Sequence, residues 1–304
     1  MTERAAGRGW APGKLILLGE HAVVYGHRAI AVGVDRGTLA EAVSRPGPSG
    51  LDASEVVPLS GDPVPFPADP RLGPALATVL PKDGVGLRLR STLPIGRGMG
   101  SSASLAIATL RALADLEGRT PGADELIAKG FRIEQVFHGT PLGLDHTVAT
   151  RGGALAYRRA PSGLEVEPLS LSHLPLVVLD SGEPGDTAAL VAGVRARRPA
   201  VDPALERIGA LVESVLSPGD FALDNLGPAM DEDHALLREI GVSTPALDEL
   251  CALARGAGAR GAKLAGAGGG GVVIALAPEP EPLLRAAASR GIPAFVAAIS
   301  PPLP

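Results

Sequence analysis

The sequence PIGRGMGSSAS occupies residues 94–104 and stands directly before a segment in which small and apolar residues recur at helical spacing. Three glycines fall within its first seven residues, and the hydroxyl side chains of Ser101 and Ser102 open the helical segment. The first N–H groups of a helix lack intrahelical partners and carry the positive end of the helix dipole, while glycine lets a ligand approach the backbone. The stretch therefore predicts a phosphate-binding loop followed by a helix, with an ordinary serine-capped glycine turn as the alternative. It is not a P-loop, because that motif has a lysine before the hydroxyl residue and this loop has none.

A second glycine-rich stretch, GAGGGG, spans residues 266–271. It formally matches G-x-G-x-x-G, yet it precedes the apolar run Val272 to Leu276, whereas a dinucleotide-binding fingerprint follows a strand and opens a helix. Four consecutive glycines carry an entropic cost that a plain turn does not require. We therefore expect the backbone here to approach a ligand or another segment closely.

Strand and helix signals alternate irregularly along the chain. Strands are predicted at residues 14–18, 29–34, 85–89, 154–157, 176–179, 272–276 and 295–299. Helices are predicted from Ser101 to Gly118, from Thr120-Pro121 to His138, from Asp186 to about Arg198, after Asp202-Pro203, and from Thr244-Pro245 to Gly256. Because no regular βαβ alternation is present, the pattern favours an α+β fold over a doubly wound sheet.

The length and composition favour two folded domains. The chain has 304 residues, of which 45% are hydrophobic and 20% charged, with a net charge of −5, so whole-chain disorder is excluded. A domain boundary is predicted within residues 158–172. Residues 45–75 are rich in Pro, Gly, Ser and Asp and predict a loop or an irregular excursion.

Composition also narrows the function. The single cysteine favours a reducing cytoplasm, and no run of 18 apolar residues predicts a membrane span. The acidic balance argues against a general nucleic-acid binder. The one basic cluster, Arg195, Arg197 and Arg198, is interpreted as the solvated end of a helix before Pro199.

Three segments together resemble the signature motifs of the GHMP kinase superfamily, and they occur in the right order. They are APGKLILLGEHAVVYG (11–26), PIGRGMGSSAS (94–104) and KLAGAGGGG (263–271). The GEHAVVYG tail, IEQVFHGTPLGLD (133–145) and the block 226–276 are similar to the mevalonate kinases within that superfamily. The resemblance implies a ribosomal protein S5 domain 2-like N-terminal domain over residues 1–165 and a ferredoxin-like α/β sandwich over residues 166–304. The active site would lie in the cleft between them.

The resemblance implies ATP-dependent, Mg²⁺-dependent phosphorylation of the primary C5 hydroxyl of mevalonate, in the mevalonate pathway of isoprenoid biosynthesis, and a possible homodimer. The alternatives are another kinase of the superfamily, acting on phosphomevalonate, homoserine or a sugar, and a non-catalytic nucleotide-binding regulator. A phosphorylated acceptor would call for extra Lys or Arg near the acceptor site, which neither the first motif nor the loop around Asp145 obviously supplies.

The resemblance also implies roles for individual residues. Asp145 would be the base toward the substrate hydroxyl and Lys14 its matching cation, whereas Lys14 without the motif would be a solvated strand-edge residue. Ser102 and Glu134 would hold Mg²⁺, with a Glu134 paired to a surface cation as the alternative. The residues implied to bind ATP are Pro94, Gly96, Gly98, Met99, Gly100, Ser101, Ser102 and Ala103. Those implied to bind the substrate are Lys14, Glu20, His21, Asp145, Thr187, Gly268 and Gly269; His21 could instead be structural, and Thr187 simply a first-turn helix residue.

Two positions depart from the family pattern. Where mevalonate kinases commonly read P-S-G-[IL]-D-N, residues 141–146 read PLGLDH, so Leu142 replaces a serine and His146 an asparagine. Leu142 cannot donate a hydrogen bond, and His146 could add a titrating charge beside Asp145. These departures leave the acceptor and the pH optimum open.

Overall fold

Two β-sheets carry the chain, in a computed structural model that describes residues 6–58, 62–160, 163–171, 173–216 and 223–303. The strands of the first sheet are β1 (Ala6–Leu18), β2 (Ala29–Pro48), β3 (Gly50–Val56), β4 (Val64–Pro65), β5 (Asp83–Ser91), β6 (Ala154–Ala160) and β7 (Gly163–Leu169). Those of the second are β8 (Leu176–Asp180), β9 (Gly261–Ala265), β10 (Val272–Leu276) and β11 (Ala294–Ala297). The helices are α1 (Leu72–Ala77), α2 (Ser101–Leu116), α3 (Ala123–His138), α4 (Leu144–Arg151), α5 (Thr187–Ala196), α6 (Asp202–Leu216), α7 (Leu223–Glu239), α8 (Pro245–Gly256) and α9 (Pro280–Ala288), with a 3₁₀ turn at Ala22–Tyr25. Across these ranges, no helix combines the length and apolar character that a membrane crossing requires.

The two sheets differ in topology. The first follows the order β4-β3-β5-β2-β6-β7, and β1 pairs with β2 beside this path. Only β3 and β5 run parallel among the described pairs; the others are antiparallel, including every pair in the second sheet, whose order is β11-β8-β10-β9. The mixed arrangement confirms the α+β prediction.

The glycine-rich loop of residues 94–100 owes its position to the close packing of α2 on β1. A Cβ on Gly9 would lie 2.2 Å from the Ala108 carbonyl oxygen, so only glycine allows this approach. At the other end of the contact, the Ser104 hydroxyl donates to the Ala11 carbonyl (2.7 Å) and accepts from the Thr38 amide (2.9 Å). The start of α2 is thereby held beside the C-terminal half of β1.

A common hydrophobic core joins the two sheets. Leu17 and Ile30 of the first sheet and Val178 and Ile274 of the second are fully buried members of one cluster. Burying an aliphatic side chain of this size contributes roughly 1.5–3 kcal/mol. This shared core therefore holds the two domains together where the cleft lies between them.

Most predicted elements are present, with shifts at their ends. The helix starts at Asp186 and Thr244 are confirmed, because these side chains accept from the amides of Ala189 (3.0 Å) and Leu247 (3.3 Å). The predicted cap at Thr120 is wrong, since α3 begins after Gly122 without a side-chain cap.

Residues 45–75 are more regular than predicted. The end of β2, then β3, β4 and the start of α1 all fall within this stretch, while residues 59–61 lie outside the described ranges. The polar composition reflects strands at the edge of the sheet, and the parallel pairing of β3 with β5 is a long-range contact that local composition does not encode.

The boundary expected after residue 165 falls inside β7. This strand pairs with β6 from Ala154↔Leu169 to Ala160↔Gly163 and so belongs to the first sheet. The second sheet begins at Leu176. We therefore propose a boundary between residues 169 and 176.

Candidate active site

A cavity of about 480 Å³ opens between the two domains. Side chains from β1, α3 and α4 line it on one side, and α5 and the glycine-rich loop after β9 line it on the other. Its charged and polar lining includes Lys14, Glu20, His21, Glu134, His138, Asp145, Arg159, Thr187 and Arg195. Six of these residues had been assigned to the site from the sequence.

Lys14 and Asp145 form an ion pair in this cavity. The Lys14 Nζ lies 3.3 Å from the Asp145 Oδ1, and only 5% of the lysine side chain is exposed. The Lys14 amide donates to the Met99 carbonyl (2.9 Å), and Gly100 packs against the lysine stem. Because Lys14 is held between β1 and the glycine-rich loop, its ammonium group is directed at the carboxylate rather than at solvent.

Asp145 lies beyond the end of α3, in the first turn of a separate short helix, α4. The preceding Gly143 has φ +98°, and a Cβ there would come within 2.9 Å of the Tyr157 Oη. That hydroxyl donates to the Leu142 carbonyl at 2.6 Å. Tyr157 of β6 therefore stabilises the tight turn into α4, and this turn places the Asp145 carboxylate in the cavity.

Glu134 is a buried carboxylate without a full set of partners. It is 1% exposed, and among the described residues its Oε1 has no hydrogen-bond partner. Burial raises the pKa of Glu134 to about 8, and the Asp145 charge adds to the rise, whereas the Ser102 hydroxyl and Lys14 oppose it. His138 lies beside both Ser102 and Glu134: its Nε2 is 3.2 Å from the Ser102 Oγ and 3.7 Å from the Glu134 Oε2. No lysine or arginine pairs with Glu134 among the described ion pairs, and burial lowers the pKa of His138, which favours the neutral imidazole beside this carboxylate.

The loop before α2 presents its backbone rather than its side chains. Gly98 and Gly100 have φ of +79° and +68°, and no side chain caps α2 among the described hydrogen bonds. Gly98 borders the cavity and packs on the Ala265 carbonyl, where a Cβ would lie at 3.0 Å. Met99 and Ala103 are fully buried, so these two residues support the loop from within the core.

Glu20 and His21 form part of the cavity wall after β1. Glu20 is 1% exposed and pairs with the fully buried Lys263. His21 has φ +59°, and its Nε2 lies 2.9 Å from the Ala267 carbonyl oxygen, which can only accept, so that nitrogen carries the proton. Burial lowers the pKa of His21, which keeps the imidazole neutral.

The residues of the second glycine-rich stretch that line the cavity are not the ones predicted. Gly266 and Ala267 line the cavity, whereas Gly268 and Gly269 do not. A Cβ on Gly268 would lie 2.1 Å from the Val242 carbonyl oxygen, and one on Gly269 would lie 2.8 Å from the Leu190 side chain. At these two positions the glycines permit close packing against other segments.

The cavity also contains residues that sequence reasoning missed or read differently. Arg159 lines it and reaches the carbonyls of Pro141 (3.4 Å) and Leu142 (3.3 Å). Arg195 does end α5 as expected, yet it lines the cavity as well. Neither arginine has a carboxylate partner among the described ion pairs. The only available signal was that both were cations near predicted element ends.

His146 does not add the charge that the sequence suggested. It is 1% exposed, and burial lowers its pKa to about 4, so the ring stays neutral beside Asp145 at physiological pH. Phe131 packs edge-on against it, with 5.7 Å between ring centroids.

The cleft thus combines an ion pair with a buried lysine, an incompletely bonded carboxylate and an uncapped helix N-terminus, a set of groups that suits phosphoryl transfer to a small molecule. Comparison with known proteins agrees. The family model described as GHMP kinases N terminal domain matches residues 71–153, and the one described as GHMP kinases C terminal matches residues 210–292. The chain belongs to the GHMP kinase family, has its two-domain fold, and is an ATP-dependent small-molecule kinase.

Individual relatives are more specific. The chain is 38% identical to a mevalonate kinase of Pyrococcus horikoshii over 286 residues, which cover 84% of each protein. A crystal structure of L. major mevalonate kinase in complex with R-mevalonate is similar with a TM-score of 0.81 and 28% identity, covering 99% of this chain and 97% of that one. The Methanococcus jannaschii mevalonate kinase is similar with a TM-score of 0.81 and 25% identity, covering 99% of both chains.

Proposed function

We propose that this protein is a mevalonate kinase, which transfers the γ-phosphoryl group of ATP to the primary C5 hydroxyl of mevalonate and yields 5-phosphomevalonate and ADP. The Lys14–Asp145 pair in the interdomain cavity is the observation that carries the proposal. The identity of its relatives, 35–38% for several mevalonate kinases, supports the choice of acceptor.

Asp145 would take the proton of the attacking hydroxyl. An ionised carboxylate within hydrogen-bond reach of the alcohol can accept its proton as the new P–O bond forms. Lys14 stabilises the negative charge that develops on the oxygens, and it keeps Asp145 oriented by their contact of 3.3 Å. Since phosphoryl transfer depends mainly on positioning and charge neutralisation, two such groups in the cavity supply most of what the chain must provide.

The residues around Glu134 fit a magnesium ion. In the part of the chain that the structure describes, its buried Oε1 has no hydrogen-bond partner, and the Ser102 hydroxyl lies beside the same carboxylate. Two oxygen ligands are a suitable protein contribution, because Mg²⁺ keeps several waters and binds substrate phosphates directly. When bound, the ion would supply positive charge that offsets the negative charge of the ATP phosphates. Glu134 and Ser102 would hold it there.

The N-terminus of α2 and its glycine loop would bind the triphosphate. The amides of Ser101, Ser102 and Ala103 have no side-chain cap among the described contacts, and the helix dipole favours an anion at this end. Gly98 and Gly100 keep the loop free of side chains where the phosphates approach. Pro94 and Gly96 are proposed to shape the entry to this loop.

The two arginines suit the anionic end of the acceptor. Mevalonate carries a carboxylate, and guanidinium groups bind carboxylates in bidentate fashion. Arg159 and Arg195 line the cavity without carboxylate partners among the described residues. Thr187, Glu20 and His21 line the same cavity and are proposed as further acceptor contacts. The same arginines also favour phosphomevalonate as a second candidate substrate.

An acceptor panel tests the proposal. ADP release should be fastest with mevalonate, and much slower with phosphomevalonate, homoserine, galactose, and the triol in which a CH₂OH group replaces the mevalonate carboxylate. Loss of a bidentate charged contact costs about 2 kcal/mol or more, so the triol should raise KM at least about thirtyfold. Arg159→Met should reduce this difference between acid and triol. Turnover restricted to phosphomevalonate would establish the second candidate, and no turnover with any acceptor would contradict the kinase proposal.

Glu134→Gln is expected to stabilise the metal-free protein while removing Mg²⁺-dependent turnover. The pKa of Glu134 is about 8 in the folded protein against an ordinary value of 4.5, so the folded state holds this proton more tightly than the unfolded state does. Stability is therefore lost progressively as the pH rises from 4.5 towards 8. The variant should unfold roughly 5 °C above wild type at alkaline pH, with no difference below the ordinary pKa.

Thermal unfolding at several pH values, without divalent ions, measures this effect. Glu125→Gln is the matched control, because the Lys129 contact at 2.7 Å lowers the pKa of Glu125 and predicts no such gain. A Glu134 variant that unfolds like wild type at every pH would contradict the buried, uncompensated carboxylate.

A homodimer and a cytoplasmic location remain predictions for this protein.

A further inference from the structure

A buried charge cluster lies directly behind the cavity wall. Its centre is Lys263 of β9, whose side chain is fully buried. Its Nζ contacts the Glu20 Oε1, lies 3.4 Å from the Asp233 Oδ2, and donates to the Leu264 carbonyl at 2.9 Å. The cluster connects the end of β1 in the first domain with β9 and α7 in the second.

The cluster contains two carboxyl groups and one ammonium group. Glu20 is 1% exposed and Asp233 is fully buried, so neither group is solvated by water. Two ionised carboxylates beside one lysine would leave a net negative charge in a medium where an unpaired ion costs several kcal/mol. One bound proton on the carboxyl pair removes this charge.

The structure indicates which group holds the proton. Glu20 makes the close contact with Lys263, whereas both oxygens of Asp233 lack a hydrogen-bond partner among the described residues. The pKa of Asp233 rises to about 8, because burial and the Glu20 charge together raise it more than Lys263 lowers it. Asp233 is therefore the neutral acid, and Glu20 is the ion that faces Lys263.

Neighbouring charges do not alter this balance. His234 follows Asp233 on α7, and burial lowers its pKa to about 4, so its ring is neutral while it contacts Asp248 at 3.1 Å. Asp231 pairs with Arg255 at 2.9 Å and also accepts from the Ala262 amide. The charges of α7 and α8 around the cluster are thus compensated separately.

The segment that carries Lys263 also contacts His21, the residue that follows Glu20 in the cavity wall. Ala267 accepts a hydrogen bond from the His21 Nε2 at 2.9 Å. Residues 263–267 therefore contact both Glu20, through Lys263, and His21, through Ala267. The backbone of His21 is left-handed, with φ +59°. A non-glycine residue retains this conformation only when its surroundings enforce it.

We propose that Lys263 is a positioning residue that fixes the Glu20–His21 wall of the acceptor site from the second domain, with Asp233 behind it as a neutral carboxylic acid. The part of this inference that concerns the acceptor rests on the proposed mevalonate kinase function. Lys263 itself does not line the cavity, so it acts through Glu20. Without its cation, Glu20 would take up a proton or turn towards the solvent in the cavity, and the wall would move.

Steady-state kinetics on five variants test the inference. Lys263→Met should raise KM for mevalonate at least about tenfold and change KM for ATP less than about threefold, because a displaced wall misplaces the acceptor only. Glu20→Gln removes an acceptor contact by itself, and adding Lys263→Met to it should raise KM for mevalonate by less than about a further threefold, because Lys263 acts through Glu20. Asp233→Asn should stay within about twofold of wild type, because the amide replaces a group that is already neutral. Arg255→Met, which removes a nearby ion pair at the surface, is the matched control and should leave both KM values unchanged.

Infrared spectroscopy tests the proton independently of any acceptor. Because Glu134 is also protonated at neutral pH, the measurement uses the Glu134→Gln background. That protein should show the carbonyl band of one protonated carboxyl group, and adding Asp233→Asn should remove the band. Its persistence in the variant, or damage by Asp233→Asn as severe as by Lys263→Met, would overturn the assignment of the proton. Equal effects of Lys263→Met on both KM values, or no effect, would overturn the positioning role. If Lys263→Met does not fold, the double variant carries the test, because a KM for mevalonate within about threefold of that of Glu20→Gln is expected only if Lys263 acts through Glu20. A wild-type enzyme without activity towards mevalonate would refute the proposed function and leave the infrared result valid.

Discussion

Asp145→Asn is expected to lower kcat by about 10²–10⁴-fold, the range that a positioned general base contributes. The amide has nearly the shape of the carboxylate but cannot accept the proton of the acceptor hydroxyl at neutral pH. ATP binding should be retained, because the carboxylate lies at the start of α4 and its described ion pair is with Lys14 rather than with a residue of the glycine loop. Single-turnover phosphorylation and ATP affinity, measured on the same preparation, separate the two effects.

Asp124→Asn is the matched control for this variant. Asp124 lies in the first turn of α3 with 99% of its side chain exposed, and its ion pair with Arg151 is long, at 3.7 Å. It should behave as wild type. Turnover of Asp145→Asn close to that of the control would remove Asp145 as the base and assign proton transfer to water or to the phosphate itself.

Lys14→Met is expected to lower kcat by about 10²–10³-fold, the cost of removing one preorganised group that stabilises developing charge. Two effects combine here. The transferring phosphoryl group loses a cation, and Asp145 loses the contact at 3.3 Å that orients it beside the buried Glu134. Because Lys14 is almost fully buried, no solvent cation replaces it at full strength.

The comparison for Lys14 is Lys129→Met. Lys129 also pairs with a carboxylate, Glu125 at 2.7 Å, but it lies on the surface of α3, where such a pair contributes little. kcat should therefore be unchanged in this variant. If Lys14→Met and Asp145→Asn act as one unit, the double variant should be scarcely slower than either single variant. Fully additive losses would show that the two residues act in separate steps.

Local sequence was sufficient for the elements that carry strong start signals. Asp186 and Thr244 cap α5 and α8 as predicted, because an N-cap uses only residues three positions apart. α4 was missed, since an eight-residue helix that begins after PLG has neither a capping side chain nor a clear apolar stripe. Its Gly143 turn depends on Tyr157, which lies fourteen residues further along the chain.

In the candidate site too, some residues were identified from the sequence and others only from the structure. Lys14, Glu134 and Asp145 were identified from motifs, and the structure brings all three to one cavity. Arg159 and Arg195 carry no motif, and only the packing of β6 and α5 around the cleft brings them to the cavity. Lys263 was seen as the first letter of a glycine-rich motif, but its burial against Glu20 and Asp233 was not visible in the sequence.

By itself, the sequence determined the family, the α+β class and the glycine loop at the start of α2, because these depend on residue types at short, fixed spacings. The tertiary structure alone decided the state of each ionisable side chain. Glu134 and Asp233 hold their protons, and His146 stays uncharged, through burial among segments far apart in the chain. Desolvation depends on everything that surrounds a group, and only the folded arrangement of both domains defines those surroundings.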